Sequence, residues 1–384
     1  MQINLFDPSD IRNCLLPFTY TRPVAEVRVG ILRIAEKWQH HGFETGYQTE
    51  DYLASKFSAI DASVAVNGGL CPDTALVAAV KALQPGQKLM SGDVLLASYA
   101  GASEIVTYES EFTLIAQPWD IFHLNGAQIE ADFELITKGR ESQPLTDPHT
   151  IVYGQENLFI EEGATIKAAI INAENGPVYI GRNAQIHEGA LIKGAFALCE
   201  GSHVNMGAKM RGDITVGPHS KVGGEVSNSV IFGYSNKGHD GFLGNSVIGE
   251  WCNLGADTNT SNLKNNYAPV KVWNYAKGGF ADTGLQFCGL MMGDHAKCGI
   301  NTMFNTGTVI GVGANIFGSG FPRNFVPSFS WGGASGFITF QPRKFYEVAK
   351  AVMSRRNLEF DEQEKEIIEA VYAASKAYRI WENK

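Results

Sequence analysis

Large aliphatic residues recur at every sixth position through the middle of this chain. Ile180, Ile186, Ile192, Leu198, Val204, Met210, Val216 and Val222 follow one another without a miss, and Ile160 and Ile166 show the same spacing upstream. Glycine follows the apolar residue at Ile180, Val216 and Val222, and again at Ile248, Leu254, Met292, Cys298 and Ile310. Each six-residue unit supplies one short strand and a turn, three units make a coil, and the apolar residue points inward. Stacked coils then bury a continuous column that no single repeat buries alone. From about Ile160 to about Gly318 the pattern predicts a parallel β-helix. A β-sandwich would need two-residue alternation in strands spaced roughly 8–12 residues apart, and that alternation is absent.

The register slips twice. Val222 to Ile248 spans 26 positions and Leu254 to Met292 spans 38, each two beyond a multiple of six. Inserted residues leave a solenoid as loops, and loops on a rigid scaffold carry function. Chemistry is therefore expected in 223–247 and 256–291.

Residues 1–150 alternate short apolar runs with helical patterns: helices over 24–38 and 74–83, strands over 63–66, 104–108 and 113–115, and a helix starting over 118–125. That alternation predicts an α/β domain. The β-helix occupies 151–330, and 331–384 form a helical extension. There Phe345, Val348, Ala349 and Val352 make one apolar stripe, and Asp361 with Glu364 resembles a capping box opening a second helix with Ile367, Ile368, Val371 and Tyr378. Because a solenoid end exposes its core column, these helices are expected to cap the coils or pack on them.

Composition narrows the function. Charged residues make up 18% of the 384 and glycines number 42, which suits strands and tight turns. Net charge is −9 with no long basic run, which argues against nucleic acid as a partner while leaving room for a locally basic pocket. The six cysteines form no Cys-x-x-Cys pair and read as small buried hydrophobes. The first residues lack the basic and apolar regions of a signal peptide, and no stretch offers the roughly 20 apolar residues of a membrane span. A soluble, cytoplasmic protein is expected.

The repeats resemble those of the hexapeptide-repeat acyltransferases. One ordered stretch is more specific: Gly224-Glu225-Val226, then Gly233-Tyr-Ser-Asn-Lys-Gly-His239, Leu243-Gly244, Ile248-Gly249, Cys252-Asn253-Leu-Gly-Ala256 and Asn262. It resembles the acetyltransferase domain of the bifunctional enzymes that make UDP-N-acetylglucosamine. Leu15-Leu-Pro-Phe-Thr-Tyr-Thr-Arg-Pro23 and Pro118-Trp-Asp120 with Asn125 are similar to elements of sugar-1-phosphate nucleotidyltransferases. The resemblance implies a nucleotidyltransferase-like α/β domain, a left-handed parallel β-helix with C-terminal helices, and a homotrimer. The activity implied is N-acetylation of an amino-sugar phosphate from acetyl-CoA, coupled to nucleotidyl transfer with Mg²⁺ and UTP or dTTP if the N-terminal domain is active.

N-acetylation needs a group to take the amine's proton. By the resemblance His239 is that base and Glu225 its acidic partner, holding the imidazole in the useful tautomer; the alternative is an exposed loop histidine beside an unrelated glutamate. Arg211 matches the arginine that grips the sugar phosphate, or is a surface arginine on a coil turn. Asn253 and Asn262 match amides at the acyl-transfer centre, or stack as structural ladders. Ile300, Thr302 and Gly318 fall on the coils matching the CoA-binding ones. Two departures stand out: Ser227 replaces a lysine and Phe242 a tyrosine, which removes a phosphate-binding group and a polar contact. In the front half the family's Gly-x-Gly-x-x-Arg loop is replaced by Phe6-Asp-Pro-Ser-Asp-Ile-Arg12. Arg12, Arg22, Arg28 and Lys37 are candidates to bind nucleotide phosphates, or form helix-face salt bridges, and Asp120 is the candidate metal ligand. Two alternatives stay open: a nucleotidyltransferase with a purely structural β-helix, and a non-catalytic trimeric scaffold.

Overall fold

A computed structural model describes residues 1–383, the side chain of residue 383 excepted. The chain divides into two compact units. One comprises Met1–Arg28 and Leu32–Gln117, the other Val29–Ile31 and Pro118–Lys384.

In the first unit, the short apolar runs build a six-stranded mixed sheet. Gln2–Phe6 pairs in parallel with Glu44–Gln48 and Val64–Asn67, and Val94–Tyr99, Gln87–Ser91 and Glu104–Thr107 continue the sheet. Helix Thr74–Ala82 begins where the Asp73 carboxylate accepts a hydrogen bond from Leu76 N at 2.7 Å, satisfying an end donor the helix cannot satisfy itself. The helix expected over 24–38 is not formed. Val24–Glu26 is one 3-10 turn, and only Ile34–His40 is α-helical. Val24, Ala25, Val27, Val29 and Ile31 are all buried, more than one helix face can hold, and Gly30 adopts φ +78°, a left-handed conformation that no helix interior uses.

In the second unit the six-residue repeat becomes three parallel faces. Inward residues of the first face run Ile160, Ile180, Leu198, Val216, Ile231, Ile248, Met292, Ile310 and Val326. The second carries Ile166, Ile186, Val204, Val222, Lys237, Leu254, Cys298 and Ile316. The third carries Val152, Ile171, Ile192, Met210, Val226 and Leu243. All eight members of the unbroken series are buried.

The two slips have opposite causes. From Val204 to Val222 a coil takes 18 residues, but Lys237 follows Val222 after 15 and Leu254 follows Lys237 after 17. The first slip is therefore a contraction: 223–247 stay in the stack as tightened coils, and the loop expected there is not extruded. The second is a true insertion, with 44 residues separating Leu254 from Cys298. The chain leaves the stack after Asn259–Thr260 and forms the antiparallel hairpin of Lys271–Asn274 with Gly279–Asp282. The Asn262 carbonyl closes the neck by accepting from Cys288 N at 2.9 Å.

Helix Pro342–Ser354 buries Phe345, Ala349 and Met353, while Val348 is exposed, so the stripe is rotated from the one expected. Phe345 packs on His295 and Phe329, corner residues of separate coils, and the helix thus lies along a flank of the stack. Helix Glu362–Ala374 starts as expected, with the Asp361 carboxylate accepting from Glu364 N at 2.8 Å. Helices Pro118–His123 and Asn125–Thr137 belong to this second unit. All six cysteines are free and five are buried. Among the described residues no helix is long and apolar enough to cross a membrane.

Candidate active site

The contraction after Val222 decides where His239 stands. Lys237 falls on an inward position of the second face, and at 2% exposure its ammonium cannot reach water. It bends back to the turn that follows, donating to the carbonyls of Gly223 and Asp240 at 3.2 Å each and to that of His239. Desolvation lowers its pKa to about 8, opposed by the negative charge of Asp240. Asn205 Nδ2 donates to Gly238 O at 2.7 Å, and Asp257 N donates to Asp240 O at 3.1 Å. Gly224, at φ +68°, lets the turn lie against it; a Cβ there would stand 2.7 Å from Gly241 O. The turn is held from several sides, and the His239 side chain projects from it exposed. It lines a recess of about 430 Å³ with His187, Asn205, Met206, Gly224 and Asp240.

Glu225 does not reach His239. It is an outward residue of the third face, and its carboxylate accepts from Arg211 at 2.8 Å. The pairing follows from register, because Lys209 and Glu225 are Cα partners on adjacent coils and Arg211 stands two residues further on. Arg211, Glu225, Lys193 and Lys209 line a second recess of about 570 Å³, floored by Ile170 and Leu191. Three cations against one carboxylate make it locally basic, in a chain of net charge −9. Gly224 lines the first recess and its chain neighbour Glu225 the second.

The remaining candidates are dispersed. Asn253 is exposed on the second face beside Asn236. Asn262 Nδ2 donates to Asn245 Oδ1 at 2.8 Å, a bond at the neck of the insertion. Ile300 is exposed, whereas Thr302 is buried with its hydroxyl on Gly299 O at 2.8 Å. Gly318 has open space around it. Lys237 was missed by sequence reading, and the signal for it lies in counting the column at 15 and 17 residues instead of 18.

In the first unit the phosphate-binding candidates are interior. Arg12, Arg22, Arg28 and Lys37 are all buried. In place of the family's Gly-rich loop, Ser9–Cys14 is helical, and Arg12 donates to Thr19 O at 2.9 Å and to the Tyr52 hydroxyl at 2.6 Å. Arg28 approaches Glu36 at 3.9 Å. Asp120 is half-buried in helix Pro118–His123, which belongs to the second unit. In that unit too, Asn125 is fully buried, accepting from Gly30 N at 2.8 Å and donating to Asp213 O at 3.0 Å. Among the described residues no three His, Cys, Asp or Glu side chains cluster as metal ligands.

Comparison with known proteins adds kinship to this geometry. Residues 3–141 match the sugar nucleotidyl transferase family model. A "Bifunctional protein GlmU" of Methanocaldococcus jannaschii is 37% identical over 87 residues, 23% of this chain and 21% of the relative. A "Bifunctional sugar-1-phosphate nucleotidylyltransferase/acetyltransferase" of Sulfurisphaera tokodaii is 28% identical over 228 residues, 56% of this chain and 47% of the relative. The chain thus spans between about a fifth and a half of the length of these curated relatives. Among solved structures, the polySia-specific acetyltransferase NeuO covers 50% of this chain and 83% of its own, at 16% identity and TM-score 0.28. The Arabidopsis UDP-N-acetylglucosamine acyltransferase covers 61% and 95%, at 16% identity and TM-score 0.25.

Proposed function

We propose that this chain is a transferase of sugar phosphates whose solenoid moves an acetyl group from acetyl-CoA to the amine of an amino-sugar phosphate. The observation that carries the reading is the turn bearing His239, held by the buried Lys237, in a unit that also carries a basic recess with Arg211, Lys193 and Lys209. The cations suit the sugar's phosphate. The amine nitrogen forms a bond to the thioester carbonyl carbon, the C–S bond breaks, and the His239 imidazole takes the amine proton and returns it to the departing thiolate. With the Glu225 carboxylate engaged by Arg211, Glu225 acts in this reading by orienting the phosphate-binding arginine. Ile300 and Gly318, both exposed on later coils, remain the proposed contacts for CoA. The kinship to proteins named as acetyltransferases supports the same reading.

The test is thiol release from acetyl-CoA with glucosamine-1-phosphate, comparing the wild type with His239→Ala. Release by the wild type that the variant loses, with its thermal unfolding unchanged, is expected. Equal release by both proteins, or none with any amino-sugar phosphate, refutes the reading.

The family-model match over 3–141 favours a second activity, sugar-1-phosphate nucleotidyl transfer. Mg²⁺ carried by a nucleoside triphosphate needs only one or two protein carboxylates, and Asp120 is the residue proposed for it. Pyrophosphate release from UTP or dTTP with a sugar-1-phosphate, abolished by Asp120→Ala, is the expected result. Self-association as a trimer is proposed from the outward row Ile151, Ile170 and Leu191, exposed by 50%, 41% and 44% on adjoining strands. Six free thiols suit a reducing, cytoplasmic setting.

A further inference from the structure

Of the inward residues on the second face, only Lys237 carries a charge. It stacks between Val222 and Leu254, and the inward residues of the other two faces in these coils, Val226, Leu243, Ile231 and Ile248, are apolar. An ammonium has three N–H donors, and its acceptors here are the carbonyls of Gly223, His239 and Asp240. The rest of the turn has other support. Gly238 O has Asn205 as its donor, Gly241 O has Glu225 N, and Asp240 O has Asp257 N besides the lysine. His239 O has no donor but Lys237 among the described residues.

Removing one proton leaves an amine with two N–H groups and a lone pair before three carbonyl oxygens. One oxygen then loses its donor and faces a lone pair instead. Burial brings this ionisation down to about 8. The titratable groups facing Lys237, beside His239 itself, are Asp240, Asp257 and Cys298. The two carboxylates favour the ammonium, and desolvation pushes the ionisation of the Cys298 thiol up.

We propose that protonated Lys237 is a positioning residue for His239, and that loss of its proton slackens the turn and lowers acyl transfer, an inference that rests on the reading of His239 as the base. The direction of the effect sets it apart. An imidazole base and an amine nucleophile both become active by losing a proton, so their contributions rise with pH and level off. The fold gains stability as Lys237 deprotonates, because the buried charge is gone. A fall in kcat above about 8 therefore comes from neither the base, the amine nor unfolding. Lost charge in the recess of Arg211, Lys193 and Lys209 would show in KM, since in this reading those groups grip the phosphate.

The test is the pH profile, from about 6 to about 10, of thiol release from acetyl-CoA with glucosamine-1-phosphate by the full chain. Wild-type kcat should fall about tenfold per pH unit above about 8, with KM for the sugar phosphate kept within about twofold. Lys237→Met should have a kcat lower by about tenfold or more at pH 7 and no alkaline fall. Lys297 is also held at about 8 but donates to the carbonyls of His295 and Trp251, so Lys297→Met should keep the wild-type fall. A wild-type kcat that stays level to about pH 10 overturns the proposal. So does a Lys237→Met profile that falls like the wild type's, the mark of a merely structural lysine, or a Lys297→Met profile that no longer falls. Should Lys237→Met be too unstable or too slow to profile, the wild type and Lys297→Met decide by the same criteria. Thiol release that His239→Ala abolishes but that shows no alkaline fall removes this proposal alone. Absence of release with any amino-sugar phosphate removes the acyl-transfer reading and this proposal with it.

Discussion

Replacing Lys237 by methionine isolates the cost of burying an ammonium in the column of the solenoid. Burial holds this lysine at about 8, against its ordinary 10.5. Between those values the unfolded chain keeps the proton and the folded chain releases it, so stability rises with pH through that window. Below about 8 both states are charged and the folded state bears the full penalty, about 3 kcal/mol at pH 7. At pH 9.5 about 1 kcal/mol remains, so this one group adds about 2 kcal/mol to stability across the interval. Methionine fills a similar volume and does not titrate. Its lost bonds to the carbonyls of Gly223, His239 and Asp240 weigh equally at both pH values. Lys297, also lowered to about 8 by burial, is present in both proteins and cancels. Urea unfolding of wild type and Lys237→Met at pH 7 and 9.5 should show the variant-minus-wild-type difference falling by about 2 kcal/mol. Parallel pH profiles would refute the argument, because they would mean that Lys237 is hydrated in the folded chain. Hydrogen exchange supplies the functional side: amides over 238–242 should exchange faster in the variant, as expected of a turn that has lost its clamp.

Other expectations follow from single contacts. Arg211→Ala should alter stability by less than about 1 kcal/mol, since the ion pair with Glu225 is largely exposed. It should raise the KM for an amino-sugar phosphate by about tenfold or more, read from melting curves beside steady-state kinetics. Asp361→Ala removes the acceptor for Glu364 N and should cost about 1 kcal/mol in thermal unfolding. Thiol titration should count six free cysteines in denaturant and, in the native chain, rapid reaction at Cys14 alone, because the other five are buried.

The sequence alone determined the solenoid, because an inward side chain every six residues is a local property of each short strand and turn. Ile180 to Val222 state it eight times over, and all eight are buried. The Asp361 cap and the free cysteines were legible for the same reason, each resting on residue type and near neighbours. Only the tertiary structure decided what depends on lateral register. The slip after Val222 has the same length whether residues are extruded or two coils tighten, and the stacking of Val222 on Lys237 shows that they tighten. The partner of Glu225 is likewise a matter of register: the pleat turns its side chain outward on the third face, where the neighbour is Arg211 of the previous coil and not the turn bearing His239. A cavity walled by Trp273, Arg323 and Tyr378 joins segments up to about a hundred residues apart, and no periodicity along the chain brings them together.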